Sequence, residues 1–312
     1  MNSVSPEVGI DISMAELVSS VDQGKPFRCA NTVEGAEQLA DLLPEGSIVH
    51  IESSGGYERT VESVLLRRGF EVRMHNPYHA RRIAQGRGRK AKTDPIDAKL
   101  LSENGHLLPT SAVKSTERKG LTDFSRAIDC IKETIAQYKK RIKMPEFDAD
   151  AKAAYQHLID ELEDQAKKLE LKFKQRIQAS SCKSAYELAL SVPTVGPVAA
   201  RSFICELPEN LPSATTKQMS SYSGMAPQDE SSGKRIGPSR VGKGNGRIKK
   251  AAYMCALTAI GREPWARDLY SRLKAKGRTH EQAMVAVMRR ILVRVVTVLQ
   301  RGSPWQGEPQ RT

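Results

Sequence analysis

The spacing of apolar positions divides the chain into three stretches. Over the first hundred residues, short apolar runs alternate with helical spacing. Residues 8–12 form a short run that reads as a buried strand, and 17–21 and 27–31 read as two more, completing a meander. Residues 33–43 have helical spacing with Thr32 as N-cap, 47–51 read as a strand, and 58–68 read as a helix. That helix carries Val61, Val64 and Leu65 on one face and ends at Gly69. A strand over 70–74 and a short helix over 95–102, opened by Pro95, complete the region. A meander followed by strand–helix–strand units predicts a mixed α/β domain.

The middle stretch changes period. Leu121, Phe124, Ile128, Ile131, Ile135, Tyr138 and Ile142 recur at spacings of 3, 4, 3, 4, 3, 4, the seam of a coiled coil. Pro145 breaks it, and a second helix follows with Tyr155, Leu158, Leu162, Leu169, Phe173 and Ile177 near one face. Residues 116–178 read as a helical hairpin or a dimerising arm, and a plain bundle fits the same pattern. From residue 185 the chain turns globular again. The segment 191–200 resembles a helix-hairpin-helix turn, which offers backbone N–H groups to a phosphate or simply joins two packed helices. Helices are expected at 247–261, 264–276 and 280–300, with a frayed tail after Gly302. The domains expected are 1–110, a helical arm over 111–184, a mainly α domain over 185–302, and a tail over 303–312.

Charge adds a partner to this picture. The net charge is +13, and residues 201–312 hold 20 basic and 8 acidic residues against 29 and 28 in residues 1–200. Such asymmetry points to an anionic partner, nucleic acid first, or to a solubilising surface. The run from Gly233 to Lys250 holds Lys234, Arg235, Arg240, Lys243, Arg247, Lys249 and Lys250 and no acidic residue. A second basic run, Arg81, Arg82, Arg87, Arg89, Lys90 and Lys92, has no acidic residue among it. It reads as a guide for a nucleic-acid backbone or, given Gly86 and Gly88, as a solvated loop. The five cysteines are far apart with no CxxC pair, which argues against a zinc ribbon and a disulfide framework and favours a cytoplasmic setting. Neither a membrane span nor a secretory leader is expected.

Four carboxylates are candidates for chemistry. Asp11 sits inside an apolar strand between two isoleucines, where a carboxylate is costly unless paired or bound to metal. Glu52 ends the next clear strand, and Asp94 and Asp97 lie three apart, on one face of a helix. Oxygen donors of this kind suit Mg²⁺ or Mn²⁺, and two such ions stabilise attacking and leaving oxygens of a phosphodiester. Taken singly, Asp94 reads as a helix cap, and Asp97 and Glu52 as surface charges. Ser231-Ser232-Gly233 precedes the basic stretch. A serine there is a candidate nucleophile, although Ser-Ser-Gly is also ordinary loop composition.

The order of these motifs is specific. Gly9-Ile-Asp11, Glu52-Ser-Ser-Gly-Gly-Tyr57, Asn76-Pro77 and Lys92-Thr-Asp94-Pro-Ile-Asp97-Ala98 resemble the DEDD transposases of the IS110 insertion-sequence family. Pro193-Thr-Val-Gly196, Tyr222-Ser-Gly-Met-Ala-Pro227, Ser232-Gly233, the basic stretch and Ala251-Ala-Tyr253 are similar to that family's second domain. The resemblance spans about 8–105 and 185–300. It implies an RNase H-like, RuvC-like N-terminal domain in which Asp11, Glu52, Asp94 and Asp97 hold divalent metal, and a C-terminal transposase domain with a nucleophilic serine. The family's serine lies five residues after the proline of its Gly-x-x-Pro element, which selects Ser232 over Ser231. The resemblance further implies a transient covalent link to DNA, a composite site across subunits of a dimer or tetramer, and a structured noncoding RNA that guides donor and target DNA. Two positions depart from the family. Ile12-Ser-Met-Ala15 stands where a lysine often follows the first aspartate, and Thr194 stands where glycine is usual. The expected function is a recombinase that excises and inserts its own element. The rivals are a DNA invertase of the same family, a junction-resolving nuclease that needs no serine, and a catalytically silent nucleic-acid-binding protein.

Overall fold

The computed structural model describes residues 5–88, 93–111, 114–209, 214–228, 231–232, 235–236, 240–242 and 244–307. The chain divides into two compact units, Met1–Val113 and Lys114–Thr312.

The N-terminal unit is a six-stranded mixed sheet. Its strands are β1 (Glu7–Ile12), β2 (Glu16–Val21), β3 (Phe27–Ala30), β4 (Ile48–Glu52), β5 (Glu71–His75) and β6 (Thr110–Ser111), in the order β3-β2-β1-β4-β5-β6. The first three strands pair antiparallel, as the meander expected, whereas β1, β4 and β5 are parallel. The helices are α1 (Val33–Leu42), α2 (Arg59–Arg67), α3 (Pro77–Gly86) and α4 (Asp94–Asn104). Thr32 caps α1 by accepting from the Gly35 N–H at 3.1 Å. Gly69 takes φ +83° just past α2, a left-handed conformation suited to glycine.

Strand alternation splits the sheet into two faces. Val8, Ile10, Val49, Ile51 and Val72 form one core with Leu39 of α1 and Val61 and Leu65 of α2. Each such side chain contributes about 1.5–3 kcal/mol when fully buried. The other face carries Gly9, which lies directly under α4: a Cβ there would stand 2.0 Å from the Ala98 carbonyl oxygen and 2.7 Å from Leu101 Cβ. The missing side chain is what allows α4 to lie on β1. The topology is compatible with an RNase H-like α/β domain.

In the C-terminal unit, α5 (Thr116–Arg141) and α6 (Ala149–Gln178) form the expected hairpin. Tyr138 meets Tyr155 edge-on across it at 5.1 Å. The buried stripe of α6 runs through Ile159, Ala166, Phe173 and Ile177, while Leu158 is exposed. Ile159 rather than Leu158 therefore carries the seam, since spacings of four and three from Tyr155 reach 159 and 162. The remaining helices are α7 (Lys183–Leu190), α8 (Pro197–Glu206), α9 (Thr216–Tyr222), α10 (Gly246–Arg262), α11 (Pro264–Ala275) and α12 (His280–Arg301). Phe203, Ile204, Ala252, Ala256, Ile291 and Val295 build the core, and Leu121, Ile128, Phe173 and Ile177 root the hairpin in it.

Two sequence expectations need correcting. Arg81, Arg82 and the residues around them form helix α3 rather than a loop, because the Asn76 side chain accepts from the Tyr78 N–H at 2.9 Å and Pro77 opens the first turn. The chain past Gly302 is not frayed at once. The Trp305 N–H donates to Ser191 Oγ at 2.9 Å, and the Arg294 guanidinium lies 3.8 Å from the Trp265 ring centroid and 5.0 Å from that of Trp305.

Candidate active site

Register places the first two carboxylates. Ile10 pairs with Ile51 in the parallel β1–β4 ladder. Asp11 and Glu52 each follow that last pair, at the ends of strands whose spacing is about 5 Å. Glu52 in turn pairs with His75 of β5. Asp11, Glu52 and His75 therefore share one row on the face that carries α4.

The helix brings the other two. Gly9 faces the Ser102 N–H, and Ser102 Oγ accepts from the Gln23 N–H at 3.4 Å near the start of β1. The helix therefore runs back toward the end of β1 that carries Asp11. Asp97 lies about 7.5 Å along the helix from Ser102, and Asp11 lies about 6.6 Å along the strand from Gly9. Asp97, next to Ala98, therefore lies on the Asp11 side of Gly9. Asp94, one turn earlier, stands further out and is exposed, whereas Asp11, Glu52 and Asp97 are half-buried. Each of those three carries a polar or electrostatic interaction of its own. Among the described residues, no three His, Cys, Asp or Glu side chains stand close enough together to hold a metal ion. The donor set, all carboxylates, has the hard-oxygen chemistry of a Mg²⁺ or Mn²⁺ site.

Behind this row lies a buried chain of polar groups that the apolar patterning did not reveal. His50 Nδ1 stands 2.8 Å from His75 Nε2, and His50 Nε2 hydrogen-bonds the Glu7 carboxylate. His75 Nδ1 lies 3.2 Å from the Pro109 carbonyl oxygen. Both rings are fully buried. Burial pushes the His75 pKa down from 6.5 to about 4, against the pull of the Pro109 carbonyl. Burial also lowers His50, against the pull of Glu7. The sequence signal was a histidine between apolar neighbours in Ile48-Val-His-Ile51, the same kind of signal that marked Asp11.

Ser232 lies on a β-ribbon. Strands β7 (Pro227–Gln228) and β10 (Arg240–Val241) pair antiparallel, as do β8 (Ser231–Ser232) and β9 (Arg235–Ile236). Ser232 pairs with Arg235, so two residues separate the innermost pair. The root of the ribbon is a close approach of two glycines. A Cβ on Gly244 would stand 2.1 Å from the Gly224 nitrogen, and Gly224 has φ +67°. The Lys249 ammonium donates to the Gly242 carbonyl at 3.0 Å, so it ties α10 to the root.

A second buried cluster braces that root. Glu206, at the end of α8, accepts from Arg126 at 3.1 and 3.3 Å and from the Asn245 amide at 3.1 Å. Asn245 also caps α10 by accepting from the Arg247 and Ile248 N–H groups at 3.0 and 3.2 Å. The Tyr222 hydroxyl donates to the Glu206 backbone carbonyl at 3.1 Å. Burial works to raise the Glu206 pKa. The hydrogen bonds from Arg126 and Asn245, with the nearby cations, outweigh it and hold the carboxyl below its ordinary value.

The basic candidates fall in three groups. Arg81, Arg82 and Arg87 lie exposed on or just after α3, with Arg82 stacked 5.3 Å from the exposed Tyr78 ring and Arg87 3.4 Å from Glu103. Arg247 and Lys250 are exposed on α10, where Lys250 meets Glu133 at 2.7 Å. Arg235 and Arg240 are placed by their backbone alone, while Arg89, Lys90, Lys92, Lys234 and Lys243 lie outside the described residues.

Comparison with known proteins identifies the family. A transposase model for IS110-type DEDD enzymes matches residues 8–144, and the model of the IS116/IS110/IS902 transposase family matches residues 186–271. The pilin gene-inverting protein of Moraxella lacunata is 24% identical over 261 residues, covering 82% of this chain and 80% of that protein. The uncharacterized 43.6 kDa protein of insertion element IS110 from Streptomyces coelicolor is 29% identical over 118 residues, 38% of this chain and 29% of that protein. The uncharacterized 42 kDa protein of insertion element IS900 from Mycobacterium paratuberculosis is 30% identical over 108 residues, 34% of this chain and 27% of that protein. The chain belongs to the IS110 family of DEDD transposases. At that level it is a DNA recombinase.

Proposed function

We propose that the chain is a site-specific recombinase that excises and inserts its own element through a covalent phosphoserine. The parallel pairing of β1 with β4, whose ends carry Asp11 and Glu52, and the seating of α4 on Gly9 support this reading. Asp11, Glu52, Asp94 and Asp97 would hold divalent metal, Mg²⁺ or Mn²⁺. A bound ion would stabilise the charge that develops on the phosphate. Ser232 Oγ attacks the scissile phosphorus. The O–P bond to serine forms as the bond to the leaving deoxyribose oxygen breaks, and that oxygen takes up a proton. One phosphoester replaces another, so the strand is rejoined by the reverse step without a nucleoside triphosphate.

The partners proposed are donor and target DNA, a structured noncoding RNA from the element that supplies sequence choice, and further copies of this chain in a dimer or tetramer. Exposed cations on α3 and α10 and the basic stretch contact the backbones. Inversion between fixed sites is a second reading, favoured by the match to a pilin gene-inverting protein over most of both chains.

The test uses the protein with its flanking element DNA, so that any guide RNA is present. Wild type yields recombinant junctions and a protein–DNA adduct that resists denaturation. Ser232→Ala and Asp11→Ala lose both and keep nucleic-acid binding. Junctions that persist in Ser232→Ala would overturn the serine mechanism and favour a hydrolytic nuclease. Circular junctions distinguish excision from inversion.

A further inference from the structure

Asp11 and Glu52 stand at the ends of β1 and β4, and the loops that follow them meet on one side chain of a third strand end. β3 pairs antiparallel with β2, and β2 with β1, so β3 runs in the direction of β1 and β4 and ends on the same edge of the sheet. Its last residue is Ala30, and Asn31 follows. That position is firmly held. The Asn31 N–H donates to the Ala15 carbonyl at 2.9 Å, Thr32 caps α1, and a Cβ on Gly35 of α1 would stand 2.1 Å from the Ala30 carbonyl oxygen. From there the Asn31 side-chain nitrogen donates to the Ser13 carbonyl at 2.8 Å and to the Tyr57 carbonyl at 3.0 Å. Ser13 lies two residues past Asp11, and Tyr57 five past Glu52. A side-chain amide nitrogen carries two hydrogens, and both are used.

The second contact fixes the path of a loop. β3 and β4 lie three strand spacings apart in the sheet, about 14 Å. The chain after Glu52 therefore turns back across the end of β1, which carries Asp11, to bring Tyr57 to Asn31. It starts on the sheet, where the Ser53 N–H donates to the His75 carbonyl at 3.1 Å. The buried Glu58 then gathers it. Glu58 Oε2 accepts from the Ser54 N–H, the Ser54 hydroxyl and the Gly56 N–H at 3.0, 2.7 and 2.9 Å. The loop is thus braced within itself, and Asn31 fastens it to the chain after Asp11. We infer that Asn31 is a positioning residue for the carboxylate pair: its amide joins the loop behind Asp11 to the loop behind Glu52 and so sets how far apart the two carboxylates stand. That the pair holds a divalent ion rests on the recombinase reading, whereas the join between the loops does not.

Full-length protein is compared with Asn31→Ala and Asn31→Leu, which lack the donor, and with Thr32→Ala, which removes the neighbouring helix cap and leaves the amide in place. Two readouts are independent of recombination: amide hydrogen exchange over residues 12–16 and 53–57, and Mn²⁺ affinity by calorimetry. Both Asn31 variants are expected to speed exchange in the two loops together and to weaken Mn²⁺ binding about tenfold or more, as loss of a group that orients metal ligands does. Thr32→Ala is expected to lower the melting temperature and to change neither. In recombination, the Asn31 variants need more Mg²⁺ for half-maximal junction yield and recover at excess Mg²⁺. Exchange that rises in one loop only or in neither would overturn the inference, as would a Mn²⁺ affinity that Thr32→Ala lowers as much as the Asn31 variants do. Mn²⁺ binding that Asp11→Ala abolishes and Asn31→Ala leaves unchanged sinks this inference alone. A wild type without Asp11-dependent Mn²⁺ binding sinks the metal reading, and the positioning role falls with it even where the two loops still exchange together.

Discussion

One buried cluster in each unit meets the cost of enclosing polar groups in opposite ways. In the N-terminal unit, His50 and His75 are fully enclosed, and burial drives both toward the neutral form. In the C-terminal unit, Glu206 is almost as deeply enclosed, yet Arg126 and Asn245 hold it charged. The first solution removes the charge and the second pairs it. A neutral ring costs little until acid forces a proton on it, whereas a paired carboxylate costs much once its partner is lost.

Glu206→Ala therefore breaks the contrast hardest. It leaves the half-exposed Arg126 and the Asn245 amide facing a vacated site at the root of the ribbon, and hydrogen bonds lost in this way cost about 1–3 kcal/mol. Urea unfolding followed by tryptophan fluorescence measures it, since the two tryptophans of the sequence, Trp265 and Trp305, both report on this unit. Glu206→Gln keeps the hydrogen bonds and is expected to lose clearly less. Equal losses in the two variants would show that charge does not matter there.

Acid sharpens the same contrast. The folded pKa of His75 lies below its ordinary 6.5, at about 4. Between those values the unfolded chain binds more protons than the folded one, so stability is full above pH 6.5 and falls as pH drops toward 4. The loss reaches at most about 3 kcal/mol. Glu206 also loses stability as pH falls, but only from the ordinary carboxylate range downward, through its depressed folded pKa. Far-UV circular dichroism should therefore show acid unfolding that begins before tryptophan fluorescence changes. In His75→Asn the early phase should shrink, and coincident transitions in wild type would sink the contrast.

Much of this architecture was legible beforehand, and the exceptions share a cause. The meander, the β1–β4–β5 units and the helical hairpin follow from spacing alone, because each element buries one periodic face. Helix α3 was harder to read because it buries mainly Ala80, and its basic residues hide the period. The ribbon around Ser232 was invisible because strands of two residues have no period to detect. Among the site residues, Asp11 announced itself as a charge inside an apolar strand. His75 and Glu206 act through partners distant in sequence, and spacing within one element holds no trace of those.

Glycine at position 9 tests how tightly α4 is set on the sheet. Gly9→Ala adds one methyl group against the backbone of Ala98 and Ser102, which cannot rotate away as a side chain would. Overpacking of this kind costs about 1–3 kcal/mol. The helix must lift, and Asp97 lifts with it. The variant is expected to lose recombination more completely than it loses stability, which junction yield and thermal unfolding measured together would reveal. A variant destabilised but still fully active would show that the level of Asp97 relative to Asp11 is unimportant.

The smallest effect belongs to the turn between α7 and α8. Thr194 has φ +72°, a left-handed conformation that a β-branched residue adopts only under strain. This is the position at which the sequence departs from the family's usual glycine. The strain is worth about 1–3 kcal/mol, and glycine returns about 0.5–1 kcal/mol of it as lost chain entropy. Thr194→Gly is therefore expected to stabilise the C-terminal unit by about 1 kcal/mol, read as a higher urea midpoint with an unchanged slope. The N-terminal unit should not respond. A lower midpoint would mean that the threonine methyl group packs well enough against the turn to outweigh its backbone strain.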